Sequence, residues 1–356
     1  MKPLPVDTEL AARGALAAYP LTPRALAPIT HGLINTTWQV TAADGRQFVL
    51  QRLHASFPAE VNLNLERITR HLAAQGHRTP RLCATTDGAW WVTRDDAVWR
   101  LLTFVAGETF AAMPGLAHAR CAGRMLGEFH AALADFRGPL PCPRPPVHEP
   151  ARHRAVLAEA LARHTDHDLH AEVAALTESI DAASAAVGPV TTRPLRLVHG
   201  DPKLSNLLFG PGATPGCLVD LDTLTYAPLA YELGDALRSW CNPQAEDAPR
   251  ATFDLPIFEA ALAGYAEATR DYLLEAEAAS IVAATETIHL ELAMRFAADA
   301  LNEAYFAWDP ARFDSRGAHN LVRARNQRAC AHALATRRDA AQDIADRVFA
   351  RTARAV

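Results

Sequence analysis

The stretch that decides the fold lies at residues 197–223, where two apolar runs enclose a short polar loop. It reads Leu197-Val198-His199-Gly200-Asp201-Pro202-Lys203-Leu204-Ser205-Asn206-Leu207-Leu208-Phe209 and, after a turn rich in Gly and Pro, Cys217-Leu218-Val219-Asp220-Leu221-Asp222-Thr223. Turn formers between two such runs predict a β-hairpin. Because hairpin strands are antiparallel, we expect Asn206 and Asp220 at the same end of the hairpin, beside Asp201.

The residue types in this loop suit phosphoryl transfer. That reaction needs a carboxylate to orient the attacking hydroxyl, oxygen ligands for Mg²⁺ on the nucleotide phosphates, and a cation near the transferred group. Asp201 and Asn206 have the spacing of a kinase catalytic loop, and Asp220 follows an apolar strand as the kinase metal-binding Asp does. We therefore predict Asp201 as the catalytic carboxylate, Asn206 and Asp220 as metal ligands, and Lys203 as a catalytic cation at the γ-phosphate.

The distribution of positive charge supports a special role for Lys203. The chain uses Arg almost everywhere, and its two lysines are Lys2 and Lys203. Arg and Lys differ in hydration and geometry, so a lone internal Lys in this loop indicates selection for a compact charge.

These motifs resemble the aminoglycoside phosphotransferase and choline kinase superfamily. Within it, Val219-Asp220-Leu221-Asp222-Thr223 is most similar to the N-acetylhexosamine 1-kinases, as is the segment from Met294-Arg295-Phe296 to Gln327. The resemblance covers roughly residues 28–335. It implies an α+β, protein-kinase-like bilobal fold, with a small β-rich N-lobe at 1–105 and a larger, mainly helical C-lobe at 106–356.

The resemblance places the nucleotide-binding residues in the N-lobe. Strands at 38–41 and 46–53 flank Asp44-Gly45, a strong hairpin signal. His31 and Gly32 precede them, where a kinase keeps its phosphate-covering loop. Arg52 matches the basic strand residue that holds the phosphates, with Leu50 on the same strand face lining the adenine pocket. Gln51 is the competing register, because a slip of one residue exchanges the two faces.

Other expected roles follow from the same resemblance. Glu66, on a helix predicted at 63–74, is placed to pair with the basic strand residue, although a solvated Glu fits the pattern too. Val105 begins a hinge, 105–108, whose backbone could bind adenine. Glu232 and Asp235 are expected to brace the catalytic loop, and Asp222 fits either a further metal-site carboxylate or a turn at the strand end.

The acceptor pocket is expected in the C-terminal region, which builds the sugar site in the N-acetylhexosamine kinase branch. Further helices are predicted at 117–134, 258–274, 278–306 and 320–337. The candidate substrate residues are Asp201, Arg295, His319, Asn320 and Arg325, and each of the last four could instead have a structural role. His164, His167 and His170 invite a metal interpretation, but a polar loop between helices is the favoured one.

The charge, the cysteines and the apolar runs of the sequence limit the classes of partner and the location expected for the chain. A net charge of −5 gives no global attraction for nucleic acid or an anionic membrane. The six cysteines are scattered, which is typical of a reduced, cytoplasmic protein. No apolar run reaches the length of a membrane span, and a monomer or a homodimer is expected.

The sequence therefore predicts an ATP- and Mg²⁺-dependent small-molecule kinase. The resemblance favours the anomeric hydroxyl of a hexose or N-acetylhexosamine as acceptor, giving a sugar 1-phosphate. The alternatives are another hydroxyl acceptor, such as an aminoglycoside, choline or homoserine, and a non-catalytic nucleotide-binding scaffold. The Arg-rich stretch 295–328 argues against a multiply cationic aminoglycoside.

Overall fold

The computed structural model describes residues 6–29, 35–270 and 272–353 and divides the chain into two units. The first unit comprises Met1–Gly107, Asp135–Arg144 and Val219–Leu224; the second comprises Glu108–Ala134, Pro145–Leu218 and Thr225–Val356. The first boundary falls within the predicted hinge at 105–108. Two later segments join the first unit, and the second of these, Val219–Leu224, carries Asp220.

The first unit is built on a five-stranded antiparallel sheet with the order β1-β2-β3-β5-β4. Its strands are β1 (Pro23–Ile29), β2 (Thr36–Ala42), β3 (Gln47–Arg52), β4 (Val92–Arg94) and β5 (Ala97–Thr103), and its helices are α1 (Val6–Leu16) and α2 (Val61–Ala74). The predicted Asp44-Gly45 hairpin joins β2 to β3, and Gly45 adopts the left-handed φ of +85° that such turns demand.

The two faces of this sheet have different neighbours. Phe48 and Leu50 of β3 join a core that includes Leu16 of α1 and the Trp38–Trp99 pair, whose ring centroids lie 5.4 Å apart. Because side chains alternate along a strand, Val49 and Gln51 lie on the opposite face. There Gln51 pairs across the sheet with Arg100 of β5, and α2 contributes Asn62.

The second unit is mainly helical. Its helices are α3 (Leu116–Ala132), α4 (Pro150–Arg163), α5 (His170–Ala185), α6 (Leu229–Trp240), α7 (Leu255–Ala268), α8 (Glu275–Ala279), α9 (Ile281–Asn302), α10 (Arg316–Ala335) and α11 (Arg338–Ala353). Two short antiparallel ladders complete it, β6 (Leu195–Val198) with β9 (Thr225–Pro228) and β7 (Leu207–Gly210) with β8 (Thr214–Leu218).

Helix α9 is the centre of this unit because it is buried on nearly every side. Its residues between Leu290 and Leu301 share a buried cluster with Leu157 of α4, Ile180 of α5 and Leu321 of α10. Each fully buried aliphatic side chain contributes roughly 1.5–3 kcal/mol.

Helices α3 and α7 approach until their backbones touch. A Cβ on Gly123 would lie 1.9 Å from the carbonyl oxygen of Ala261, and one on Gly264 would lie 1.9 Å from that of Arg120. Neither position can carry a side chain in this packing, so glycine at both allows the close contact.

The α+β, kinase-like fold class predicted from the sequence is confirmed. Strand β1 was not predicted, because its Pro23 and Pro28 read as breakers; both are tolerated at the edge of a sheet. Helix α11 was not predicted either, since the last predicted helix ends at residue 337. His164, His167 and His170 lie at the connection between α4 and α5, as predicted. Among the described residues, no helix is long and apolar enough to cross a membrane.

Candidate active site

The polar loop that follows β6 is fixed first through its backbone. Glu232 of α6 is 2 % exposed, and its two carboxylate oxygens accept hydrogen bonds of 2.9 Å each from the backbone N–H groups of His199 and Gly200. Gly200 has a φ of +85°, which a residue with a side chain rarely adopts. The bracing role predicted for Glu232 therefore corresponds to two direct hydrogen bonds.

The same helix holds the next turn of the loop. The Ser239 hydroxyl accepts from the backbone N–H of Leu204 at 3.1 Å, and the Trp240 indole N–H donates to the carbonyl of Pro202 at 3.0 Å. Trp240 is buried, so this bond satisfies an indole N–H that has lost its contact with water. Helix α6 thus anchors both ends of the segment 199–204.

Three predicted side chains meet on this loop. The Asp201 carboxylate oxygen Oδ2 accepts hydrogen bonds from the Lys203 ammonium and from Asn206 Nδ2, the latter at 3.2 Å. Asn206 Nδ2 also donates to the Asp201 carbonyl at 2.8 Å. The side chains of Asp201 and Lys203 are 24 % and 26 % exposed, so the pair is accessible to a ligand.

Asn206 is oriented in a way that suits a divalent cation. Its Nδ2 makes both bonds to Asp201, which leaves the amide oxygen Oδ1 as the atom that can bind a cation. Amide and carboxylate oxygens are the ligands that Mg²⁺ and Ca²⁺ take in proteins. Asn206 directly precedes β7, whose first residue Leu207 pairs with Leu218 at the end of β8.

In the first unit, the predicted metal ligand Asp220 has a left-handed backbone conformation, with φ of 63° and ψ of 53°. Two residues later, Asp222 is 1 % exposed and has both oxygens occupied. Arg100 donates to Oδ1 and Oδ2, and Asn35 donates to Oδ2 at 2.8 Å. Asp222 therefore has no lone pair directed at solvent for a metal, and it serves as a turn anchor.

In the second unit, Arg238 of α6 interacts electrostatically with Asp201 and pairs with two other carboxylates. Arg238 donates to Asp235 at 2.9 and 2.7 Å and to Glu246 at 3.2 Å. Burial alone would lower the pKa of Arg238, but the charges of Asp235, Glu246 and, less strongly, Asp201 raise it. Arg238 thus lies within the electrostatic field of the Asp201 carboxylate.

A second group of charges surrounds Asp247. His319 Nε2 lies 3.1 Å from Asp247 Oδ2, Arg312 donates to the same oxygen at 2.7 Å, and the ring of Phe313 stacks on His319 with centroids 3.9 Å apart. Burial would raise the pKa of Asp247, but the His319 hydrogen bond and the Arg312 charge lower it. Burial lowers the pKa of Arg323, although the charges of Glu246 and Asp247 act to raise it.

Comparison with known proteins decides the family. The model of the phosphotransferase enzyme family APH matches residues 25–272, which span both the β-sheet and the catalytic loop. The chain belongs to this family.

Relatives of this phosphotransferase have diverse acceptors. It is 29 % identical over 265 residues to a homoserine kinase of Hyphomonas neptunium, covering 71 % of this chain and 75 % of the relative. In fold it is similar to amicoumacin kinase hAmiN, solved with AMP-PNP, Ca²⁺ and Ami (TM-score 0.64, 14 % identity, 91 % and 93 % of the two chains). It is also similar to a microcompartment-associated aminopropanol kinase (TM-score 0.60, 18 % identity, 95 % and 99 %).

The residues predicted to bind nucleotide occupy several environments in this phosphotransferase. Leu50 is 0 % exposed within the α1-facing core, and Arg52 is exposed at the end of β3 on the same strand face. Gln51, the competing register, lies on the other face with Arg100. Val105 is half-buried just after β5. His31 and Gly32 lie outside the described residues.

Glu66 pairs within its own helix rather than with β3. Its carboxylate lies 3.5 Å from Arg70, one turn further along α2. The buried ion pair that the described part of the first unit does contain joins Arg100 to Asp222. The ion pair expected between β3 and α2 is therefore found between β5 and the turn after Asp220.

The four predicted acceptor residues of the C-terminal region do not form one cluster. Asn320 is buried, donates to Asp299 at 2.9 Å and accepts from Arg323, so it joins α9 to α10. Arg325 is exposed and paired with Glu172 of α5. Arg295 lies over the Phe306 ring at 5.7 Å. Only His319 belongs to the charged group around Asp247.

The sequence pattern did not single out Arg100, Glu246 and Asp247. Arg100 had a usable signal, since a lone Arg within the apolar run 98–102 indicates a buried charge that requires a partner. Glu246 and Asp247 lie in an irregular segment after α6, and only folding brings them to Arg238, Arg312 and His319.

Proposed function

We propose that this chain is an ATP- and Mg²⁺-dependent kinase that phosphorylates the hydroxyl of a small molecule. The observation that carries the proposal is the junction of Asp201, Lys203 and Asn206 on one loop whose backbone is anchored by Glu232. Membership of the phosphotransferase family supports the same reaction class.

Asp201 is the group that orients the acceptor hydroxyl and accepts its proton through Oδ2. Lys203 keeps the carboxylate in place before nucleotide binds and then offers its ammonium to the γ-phosphate, where a compact charge suits the crowded transferred group. Asn206 and Asp220 are the residues that would supply oxygen ligands to the cation. The bound Mg²⁺ would neutralise phosphate charge as it develops.

The acceptor in this proposal is a hydroxy amino acid, with homoserine first. The homoserine kinase relative supports this choice, and the structure offers a physical reason for it. A zwitterionic acceptor needs a cation for its carboxylate and an anion for its ammonium. The cations Arg312 and Arg323 interact with the anions Glu246 and Asp247. This charged group is linked to Asp201 through Arg238, which pairs with Glu246.

A hexose 1-hydroxyl is the second candidate acceptor. It is favoured by the similarity of Val219–Thr223 to the N-acetylhexosamine 1-kinases. The dispersal of Arg295, Asn320 and Arg325 weighs against it, because a sugar pocket needs several polar groups directed at one ligand. The choice between the two acceptors therefore calls for a direct assay.

The test is acceptor-dependent ADP release from MgATP, screened over homoserine, aminopropanol, choline, an aminoglycoside and N-acetylhexosamines. The phosphorylated product is then heated in dilute acid. We expect release with homoserine and an acid-stable alkyl phosphate. A glycosyl phosphate, which acid cleaves readily, would establish the hexose alternative, whereas nucleotide binding without turnover on any acceptor would contradict the kinase proposal.

A further inference from the structure

We propose that Arg100 is a positioning residue for the metal site: it fixes the turn that carries Asp220 by clamping Asp222. The inference rests on the metal-binding role proposed above for Asp220. It adds a residue of the β-sheet whose N–H donors all bind protein groups and which determines how well the metal is held.

All the donor groups of Arg100 are used in the structure. Nε and Nη2 donate to Gln51 Oε1 at 2.8 and 2.6 Å, and Nη1 donates to Asn62 Oδ1 at 3.3 Å. The remaining N–H of Nη1 donates to Asp222 Oδ1, and the remaining N–H of Nη2 donates to Asp222 Oδ2 at 2.9 Å. A guanidinium has five N–H donors, so this side chain, 1 % exposed, has one permitted orientation.

Asp222 is equally constrained. Besides the two bonds from Arg100, its Oδ2 accepts from Asn35 Nδ2, and Asn35 Oδ1 in turn accepts from the backbone N–H of His54 at 3.0 Å. Bidentate pairing of Arg with a carboxylate fixes direction as well as distance. The carboxylate is thus held by β5, by Asn35 and, through Gln51 and Asn62, by β3 and α2.

The turn between these anchors is short and strained. Asp220 has the left-handed φ of 63°, which few residues other than glycine adopt, and Leu221–Thr223 form a single 3₁₀ turn. Such a conformation persists where the surroundings over-determine it. The buried side chains of Leu221 and Leu224 supply part of that constraint, and Asp222 supplies the directional part.

This arrangement takes the place of the ion pair expected between the basic residue of β3 and Glu66. Gln51 stands on the face of β3 that includes Arg100, and it accepts rather than donates the strong bonds. Arg52 lies on the other face. The sheet therefore holds the turn that carries Asp220 through β5. The charge that does so is Arg100, which lies directly opposite Gln51.

The test measures binding of a non-hydrolysable ATP analogue by titration calorimetry over a series of Mg²⁺ concentrations, together with thermal unfolding. The variants are Arg100→Met, Asp222→Asn, the charge-free pair Arg100→Met/Asp222→Leu, and Asp220→Ala. Arg46→Met is the matched control, because Arg46 lies in the turn between β2 and β3 of the same unit, in an exposed pair with Asp44.

We expect both single variants to weaken Mg²⁺-dependent binding by roughly 10- to 100-fold, as loss of an outer partner of a metal ligand does. The double variant should recover the unfolding temperature, since no charge is left buried alone, but not the metal dependence. Arg46→Met should match the wild type.

Two results would overturn the inference. One is a double variant that restores both stability and Mg²⁺-dependent binding, because the pair would then be merely structural. The other is a folded Arg100→Met variant with unchanged Mg²⁺ dependence while Asp220→Ala is impaired. If Asp220→Ala itself leaves metal dependence unchanged, the proposed metal role fails instead, so the two failures are distinguishable.

Discussion

Two cation–carboxylate pairs illustrate how differently this phosphotransferase uses the same chemistry. Lys203 and Asp201 are each about one quarter exposed, and the ammonium has a rotatable stem. Arg100 and Asp222 are each 1 % exposed and surrounded by fixed partners. A carboxylate that must exchange partners during a reaction needs the first environment, whereas one that must never move needs the second.

The comparison also separates what each pair contributes to stability. An exposed ion pair is worth about 0–1 kcal/mol. Removing one partner of a buried pair costs about 3–5 kcal/mol, because the other charge is left without compensation. The accessible pair should therefore be visible in turnover, and the buried pair in unfolding and in metal affinity.

The largest expected effect is on catalysis by the accessible pair. Asp201→Asn keeps the shape of the side chain but removes its basicity, so kcat should fall roughly 10²- to 10⁴-fold. Circular dichroism and the unfolding temperature should stay those of the wild type. Steady-state ADP release measures the change, and Asp44→Asn, on an exposed turn, is the control. Near-normal turnover would remove Asp201 from the mechanism.

The next effect is on the stability of the buried pair. Arg100→Leu should lower the free energy of unfolding by about 3–5 kcal/mol, whereas Lys203→Leu should change it by less than about 1 kcal/mol. Urea unfolding of the full chain gives both values. Equal losses for the two variants would show that the contrast in burial has no energetic consequence.

Lys203 should matter to the reaction and not only to the fold. Lys203→Met removes one preorganised charge from the transferred phosphoryl group, and we expect kcat to fall roughly 10²-fold. Lys203→Arg should recover only part of this loss, because a planar guanidinium does not reproduce a compact ammonium. If kcat of Lys203→Arg equalled that of the wild type, the compact shape of the ammonium would have no role in the reaction.

The smallest effects concern buried histidines of the helical unit. Burial alone would lower the pKa of His148, but the charges of Asp235 and Glu291 raise it to about 10. Burial lowers the pKa of His289 to about 3, although its Nδ1 lies 3.0 Å from Gln327 Oε1. In an unfolded chain both titrate near pH 6.5.

The sign of each contribution follows from which state binds the proton. Between pH 6.5 and 10 the folded state keeps the His148 proton that the unfolded state has lost, so stability falls as pH rises. Between pH 3 and 6.5 His289 binds a proton in the unfolded state but not in the folded state, so stability falls as pH falls. Unfolding temperatures should peak near pH 6.5, and His289→Gln should flatten the acid limb.

The meeting of Asp201, Lys203 and Asn206 could be predicted from sequence because it is local. Asp201, Lys203 and Asn206 lie within six positions, and Glu232 follows on the next helix, so spacing alone carries the geometry. The kinase-like fold class followed from the same stretch. Strand β1 was missed because its prolines suit only a sheet edge, a position that the sequence does not reveal.

The rest depended on contacts between residues distant in sequence. Arg100 and Asp222 are separated by 122 positions, and only the register of β3 against β5 shows that Gln51 and not Arg52 faces them. The acceptor region proposed above combines α6, the segment after it and α10. The family resemblance named His319, Asn320 and Arg325 as candidates for the acceptor pocket, but it could not tell that their partners are Asp247, Asp299 and Glu172.

The most direct test of the account is ³¹P NMR of the reaction of MgATP with homoserine, run in parallel for the wild type and Asp201→Asn. The account predicts that the γ-phosphate signal is replaced by a new phosphomonoester resonance with the wild type, and that this signal is strongly diminished with the variant. A wild-type sample that forms no phosphomonoester with any acceptor of the panel, or a variant that forms it at the wild-type rate, would contradict it.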